Sequence, residues 1–365
     1  MWNHPVLRRL LPGLAFSALG DGMSIVAVSW LALELDPRPT WVAVAVAAYS
    51  LPSALGGVLF ARWLRTRPGA QLAGWNAVLR AGCLGAVAVT YALGALSPGL
   101  FVALLAVSSL LAAWGSAGRY ALIAELLPAE RHVAANAVLT TIAEFATIAG
   151  PPLAGLLIAW TNPGVVIAID AASFAVLALT YRMVPRTPRA PEPKREHLKV
   201  TGLIVLGALF FFLFGPFYAA MPIHVSENLG GDATLLGWYY TAFGAGAVAG
   251  GLLTARVRRH PPVAAIIGAF GIAMLPLGLG APQPLAMAAF GVAGLVWAPF
   301  LPVAMARLQG DTRALATFGS VAALAAPLGT VLGGPLVEAF GARQTLLLCA
   351  VATVALGAVA AIRRK

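Results

Sequence analysis

The chain has 365 residues and a mass of 37.5 kDa, and 60% of it is hydrophobic while 10% is charged. A soluble domain has roughly 45–50% apolar and roughly 25% charged residues, so the composition excludes both a water-soluble enzyme and a disordered chain and places the protein in a lipid bilayer. The net charge of +11 is dealt out in short clusters between apolar runs instead of gathering into a basic patch, which argues against a nucleic-acid partner.

A helix needs about 20 apolar residues to cross the hydrocarbon core. Apolar runs cut at charge clusters and Pro/Gly turns predict twelve spans, at 10–33, 41–61, 71–93, 99–122, 133–159, 164–183, 200–224, 233–255, 262–280, 284–305, 314–337 and 343–361. Asp21 interrupts the first run and no small-residue cleavage site follows it, so it reads as a retained helix and not a signal peptide. The stretch 184–199 has four prolines, seven charges and no apolar period, and is a linker. The expected organisation is therefore an N-terminal six-helix bundle over 1–183, a cytoplasmic linker over 184–199 and a C-terminal six-helix bundle over 200–365. With the N-terminus inside, 21 of the 24 Lys and Arg residues fall on inner loops and ends, which predicts a multi-pass protein with both termini cytoplasmic. Scarce lysine beside plentiful Arg, Ala, Gly and Pro is the usage of a GC-rich bacterial gene, and the expected location is a bacterial cytoplasmic membrane. Cys83 and Cys349 each lie in an apolar run and read as small core residues, not as a disulfide or metal pair.

Two segments repeat. Residues 56–65 and 250–259 both read Gly-Gly-x-Leu-x-Ala-Arg-x-x-Arg, at a constant offset of 194. Gly150, Ala154 and Gly155 are echoed more weakly by Gly329, Gly333 and Gly334. Two related six-helix halves are the architecture of many secondary transporters.

Further motifs carry a resemblance. Ser17-Ala18-Leu19-Gly20-Asp21-Gly22 lies in the first span, Ala117 to Pro128 runs into Ala134-Ala135-Asn136-Ala137, Gly150-Pro151-Pro152-Leu153-Ala154-Gly155 lies in the fifth, and Asp170-Ala171-Ala172-Ser173-Phe174 in the sixth. Together, over essentially the whole chain, they resemble the major facilitator superfamily, and more narrowly its drug-efflux branch of macrolide and enterobactin exporters. The resemblance implies an all-α membrane protein of twelve helices in two pseudo-symmetric halves, alternating access, a small-molecule substrate, protons as the coupling ion, no cofactor and a monomer. It also implies that Gly57, Arg62, Arg65, Glu125, Gly150, Pro151 and Gly155 serve conformational change, with Glu125 a partner for one of the loop arginines. One departure is Ala61, where the family usually has an Asp in the loop between helices 2 and 3; its absence puts the latch made by that acid in doubt.

An ionisable residue deep in a span costs about 2.5–3.5 kcal/mol on insertion scales and needs a reason. Asp21, Arg80, Glu144 and Asp170 all lie at roughly 14–20 Å depth, taking ~1.5 Å per residue. Three acids face one base, so Arg80 can neutralise one carboxylate and two are left over. This cluster reads as a proton relay that doubles as a cation site. The resemblance places Asp21 and Glu144 on cavity-lining and domain-contact helices, whereas Asp170 and Arg80 read as a structural pair or as groups hydrogen-bonded to backbone. Tyr218, Trp297 and Phe300, beside Pro216 and Pro299 on expected lining helices, are candidates for a cavity wall. His224 reads as an interfacial residue. Gly246-x-x-x-Gly250 and Gly329-x-x-x-Gly333 suit close helix packing at the interface between the halves, and the lack of a Gly-Lys-Ser/Thr loop excludes ATP drive within this chain.

The function these readings predict is a proton-coupled antiporter that exports amphiphilic, drug-like molecules. The alternatives are an exporter of one metabolite such as a siderophore, or a transporter-like receptor that moves nothing. A membrane-embedded enzyme would need a metal-ligand set or an activated nucleophile at depth, and the five histidines lie scattered at ends and loops.

Overall fold

The structure, a computed structural model, describes residues 5–59, 67–184, 201–256, 261–308 and 312–362. Among these the chain is helical throughout, without a strand. Fifteen α-helices follow one another: α1 (Pro5–Leu35), α2 (Pro39–Ala48), α3 (Leu51–Leu59), α4 (Gly69–Ala92), α5 (Pro98–Ser109), α6 (Ala112–Leu126), α7 (His132–Trp160), α8 (Pro163–Arg182), α9 (Gly202–Ile223), α10 (Ala233–Arg256), α11 (Val263–Leu279), α12 (Gln283–Trp297), α13 (Phe300–Leu308), α14 (Thr312–Phe340) and α15 (Ala342–Ile362). Nine stretches of described helix are long and apolar enough to cross a membrane. Three predicted spans fall outside those nine. The span at 41–61 is broken between α2 and α3, α11 has only 17 residues, and Gly, Trp and Tyr dilute the hydropathy of α10. Large apolar side chains such as Leu93, Trp160, Leu179, Leu252 and Ile362 are exposed, as a lipid-facing surface requires.

Local chemistry sets the helix ends. Ser97 and Asn162 accept the N–H groups of Leu100 and Val165, each just before a proline at the first helical position. Gly280 closes α11 in the left-handed conformation at φ 72°. Arg343, at the start of α15, donates to the free carbonyls of Gly278 and Leu279 at 3.2 and 2.8 Å.

Three predicted spans are each two helices, and the break in the second has a clear cause. Pro52 has no N–H to return to the carbonyl of Ala48. The hydroxyl of Ser109, at the end of α5, donates to that carbonyl at 2.9 Å instead, as a broken helix at membrane depth needs.

The fold divides into two compact units, Met1–Leu31 with Ala48–Lys194 and Ala32–Ala47 with Arg195–Lys365. In the first, α4 packs on α8 and α3 on α6, while α1 crosses α7 so closely that a Cβ at Gly22 or Gly150 would strike the other helix's backbone. In the second, α11 packs on α15, α10 on α12 and α9 on α14, with Gly215 and Gly329 at the last crossing. The glycine repeat read from the sequence has a common purpose. Gly56 leaves room for the carbonyl of Leu110, and Gly250 for that of Leu295. This corrects one expectation. Gly246, Gly250, Gly329 and Gly333 make their close contacts with α12 and α9, inside the second unit.

The segment Ala32–Ala47 groups with the second unit for a local reason. Glu338, in the last turn of α14, accepts the hydroxyl of Thr40 at 2.6 Å and its N–H at 3.3 Å, which places an anion on the first turn of α2.

Candidate functional site

Three of the four charged residues at depth in the first unit, Asp21, Arg80 and Asp170, converge on one cluster, and Ser17, Asp21 and Ser24, at helical spacing, lie on one face of α1. Asp21 pairs with Arg80 of α4 at 2.8 Å, with Arg80 almost wholly buried and the Asp21 side chain 38% exposed. Tyr49, at the break between α2 and α3, donates its hydroxyl to Asp21 Oδ1 at 3.0 Å. The same phenol oxygen accepts from Arg80 Nη2. The guanidinium also lies over the rings of Phe174, at 4.5 Å, and Tyr49, at 5.0 Å, contacts that favour a desolvated cation.

Asp170 of α8 is fully buried. Ser24 donates to its Oδ2 at 2.6 Å, and Ser173 lies 3.4 Å from Oδ1. Gly20 makes this possible, because a Cβ there would collide with the carboxylate. The expected Asp170–Arg80 pair is therefore corrected: Arg80 takes Asp21 as its ion-pair partner, because α1 and α4 bring their side chains within reach, while Ser24 donates to the Asp170 carboxylate and Ser173 donates mainly to the Asp170 backbone carbonyl, at 2.7 Å. The Nε–H of Arg80 is buried with no hydrogen-bond partner.

Asp21 also borders a cavity of about 350 Å³, whose polar lining comes from Ser17 and Asp21 of α1, Ser116, Arg119 and Tyr120 of α6, and Thr140 and Thr147 of α7. That is large enough for a small organic molecule. One side of the Asp21 carboxylate thus meets the cavity and the other a buried cation, an arrangement in which a proton or cation arriving in the cavity competes directly with Arg80.

The remaining predicted residues are dispersed. Glu144 is exposed on α7 and makes no hydrogen bond or ion pair among the described residues, so the structure does not bring it into the cluster. Glu125 accepts the N–H of Gly69 at 2.9 Å and so caps α4, where Gly69 meets the backbone of α6 at Gly118. Gly57 belongs to α3, and Arg62 and Arg65 lie outside the described residues, as does the linker at 185–199. Gly150, Pro151 and Gly155 are buried in α7. Phe300 is fully buried between Phe210 and Phe211, which corrects its placement on a cavity wall: the break at Ala298-Pro299 turns it into the aromatic core. Tyr218 and Trp297 are half-buried against Phe214 and Phe243. His224 is buried and bonds Asn228 within a π turn at the end of α9. No group of three or more potential metal ligands occurs among the described residues.

Sequence reasoning missed Tyr49, Ser24, Ser173 and Arg119. The serines' spacing from Asp21 and Asp170 was a usable signal; for Tyr49 the only signal was its position three residues before Pro52.

Residues 10–318 match the Major Facilitator Superfamily. The chain belongs to that superfamily. Among relatives, a multidrug efflux pump, Tap, of Mycobacterium bovis is 26% identical over 386 residues, covering 94% of this chain and 90% of the relative. Its namesake from Mycolicibacterium fortuitum is 24% identical, covering 98% and 95%. Solved structures share the superfamily fold at low identity. A bacterial homologue of the iron transporter ferroportin in an inward-facing state has a TM-score of 0.66 at 16% identity, covering 96% of this chain and 98% of that one. A bacterial homologue of the lysosomal transporter Spinster has a TM-score of 0.71 at 13% identity, covering 98% and 95%. The protein is thus a multi-pass membrane transporter of this superfamily.

Proposed function

We propose that the protein is a proton-coupled antiporter of the bacterial cytoplasmic membrane that exports amphiphilic small molecules by alternating access. It works as a monomer of twelve spans in two six-helix halves, 1–183 and 200–365, joined by a cytoplasmic linker and with both termini in the cytoplasm. The twelve-span reading is supported by the three helix pairings that recur in the two units and by the paired roles of Gly56 and Gly250. Export is supported by the mycobacterial relatives, which are named multidrug efflux pumps.

The observation that carries the mechanism is the divided environment of Asp21, open to a polar cavity on one side and bound to buried Arg80 on the other. A carboxylate so placed binds either a proton or a cationic group from the cavity, and binding either one changes its hold on Arg80. Competition of proton and substrate for one carboxylate is antiport. Glu144, exposed on α7, serves as a second acid for a cationic substrate.

The test is efflux of a fluorescent lipophilic cation from proteoliposomes under an imposed pH gradient, comparing wild type with Asp21→Asn and Glu144→Gln. Gradient-dependent transport abolished by Asp21→Asn is expected. Wild type that moves no probe, or Asp21→Asn that pumps normally, overturns the reading.

A further inference from the structure

We propose that Tyr49 is a positioning residue for coupling: its hydroxyl holds the Arg80 guanidinium on Asp21, and when Asp21 takes up a proton the guanidinium passes to Asp170. This rests on the proton-coupling reading above and adds the residue through which the exchange is made.

Four observations lead to it. Tyr49 stands outside regular helix, at the break that Pro52 forces and that Ser109 stabilises through the carbonyl of Ala48. Its single hydroxyl serves both members of the ion pair, donating to Asp21 and accepting from Arg80. Arg80 has a buried Nε–H without a partner, so the guanidinium has a donor to spare. Asp170 lies on the adjacent helix and carries a fully buried carboxylate, whose short hydrogen bond comes from the Ser24 hydroxyl.

The chain also passes from one compact unit to the other between Ala47 and Ala48, two residues before Tyr49. The groups that face Asp21 are Tyr49 from the α2–α3 break, Arg80 from α4, Arg119 and Tyr120 from α6 and, through Ser24, Asp170 from α8; α7 offers only the neutral Thr140 and Thr147. The step balances simply. One proton enters from cavity water onto Asp21, Arg80 stays cationic throughout, and only hydrogen bonds are exchanged.

The experiment is infrared titration of the full-length protein in lipid nanodiscs, following the carboxylic-acid band that Asp21→Asn removes. Loss of the phenol is expected to move the midpoint of Asp21 protonation to higher pH by about one unit in Tyr49→Phe, the scale of losing a nearby opposite charge. In an Asp170→Asn background, where Arg80 has no second carboxylate, the same change is expected to move it less than half as far. If Tyr49→Phe does not fold, 4-fluorophenylalanine at position 49 alone, which fills the place of the hydroxyl without donating a hydrogen bond and accepts only weakly, is expected to shift the midpoint in the same direction. An unmoved midpoint, or equal shifts in both backgrounds, overturns the proposal and leaves the phenol a structural hydrogen bond. The titration needs no substrate, so failure of transport in proteoliposomes would refute the antiporter reading separately.

Discussion

Arg80→Met keeps most of the side chain's length and removes its charge. The change strands Asp21 and fully buried Asp170 near one another and takes a hydrogen bond from the Tyr49 hydroxyl. Asp21 is itself 38% exposed, so its loss of the pair costs less than for a fully buried one, about 1–3 kcal/mol, the scale of removing one partner of a buried polar contact. At about 2.1 cal/mol/K of unfolding entropy per residue, 1 kcal/mol is worth a little over 1 °C for a chain of this length, so the loss corresponds to roughly 1–4 °C in Tm. Thermal unfolding of the purified protein in one detergent, followed by intrinsic tryptophan fluorescence, measures it. Arg80→Met with Asp21→Asn removes one stranded carboxylate and should recover at least about a third of the loss, since coupled neighbours are not additive. A Tm of Arg80→Met equal to wild type, or a double variant less stable than the single one, would refute the argument that this cation holds the cluster together.

Three further outcomes follow from the fold. Ser109→Ala leaves the Ala48 carbonyl without a donor and should cost about 1–3 kcal/mol; Pro52→Ala, which restores a backbone N–H at that point, should offset part of it, both read as Tm. Gly56→Leu and Gly250→Leu force a side chain against the carbonyls of Leu110 and Leu295, and each should destabilise by at least about 1–3 kcal/mol and lower the yield of monodisperse protein on size-exclusion chromatography. In the loop between α1 and α2, hydrogen bonds from the exposed Arg38 side chain hold the half-buried Asp36 carboxyl below its ordinary range. The folded value is the lower one, so the contribution of this pair is present above the usual carboxylate range and is lost as pH falls through the depressed value. The Tm difference between wild type and Asp36→Asn should be small at neutral pH, as for any surface pair, and should disappear in acid; a difference that grows on acidification contradicts the assignment.

Much of the architecture follows from quantities that need no tertiary contact. The expense of leaving backbone and charge in hydrocarbon decides which runs are helices, so α1, α4, α7, α8, α9, α14 and α15 coincide closely with predicted spans. The same expense singles out Asp21, Arg80 and Asp170, because a charge at that depth persists only where something stabilises it. Glycine spacing was legible as a repeat, and the relation between Gly56 and Gly250 has its structural counterpart in two carbonyls.

Partner choice was not legible. Whether Arg80 meets Asp21 or Asp170 depends on a few ångströms of helix placement, which Gly20, Gly22 and Gly150 set through contacts between segments far apart in the chain. The same holds for Phe300, which looks like a wall residue by its place beside Pro299 and becomes core because Phe210 and Phe211 close around it. Tyr49 is the clearest case. Hydropathy along one strand of sequence sees an aromatic in an apolar run, and only the junction of α1, α3, α4 and α5 makes its hydroxyl the bridge between an acid and a base. The sequence by itself determined the solvent, the element type and the positions where charge needs a reason, since these are one-dimensional sums over transfer energies. Only the tertiary structure decided which charge answers which, because that is a matter of short-range geometry between residues the chain keeps apart.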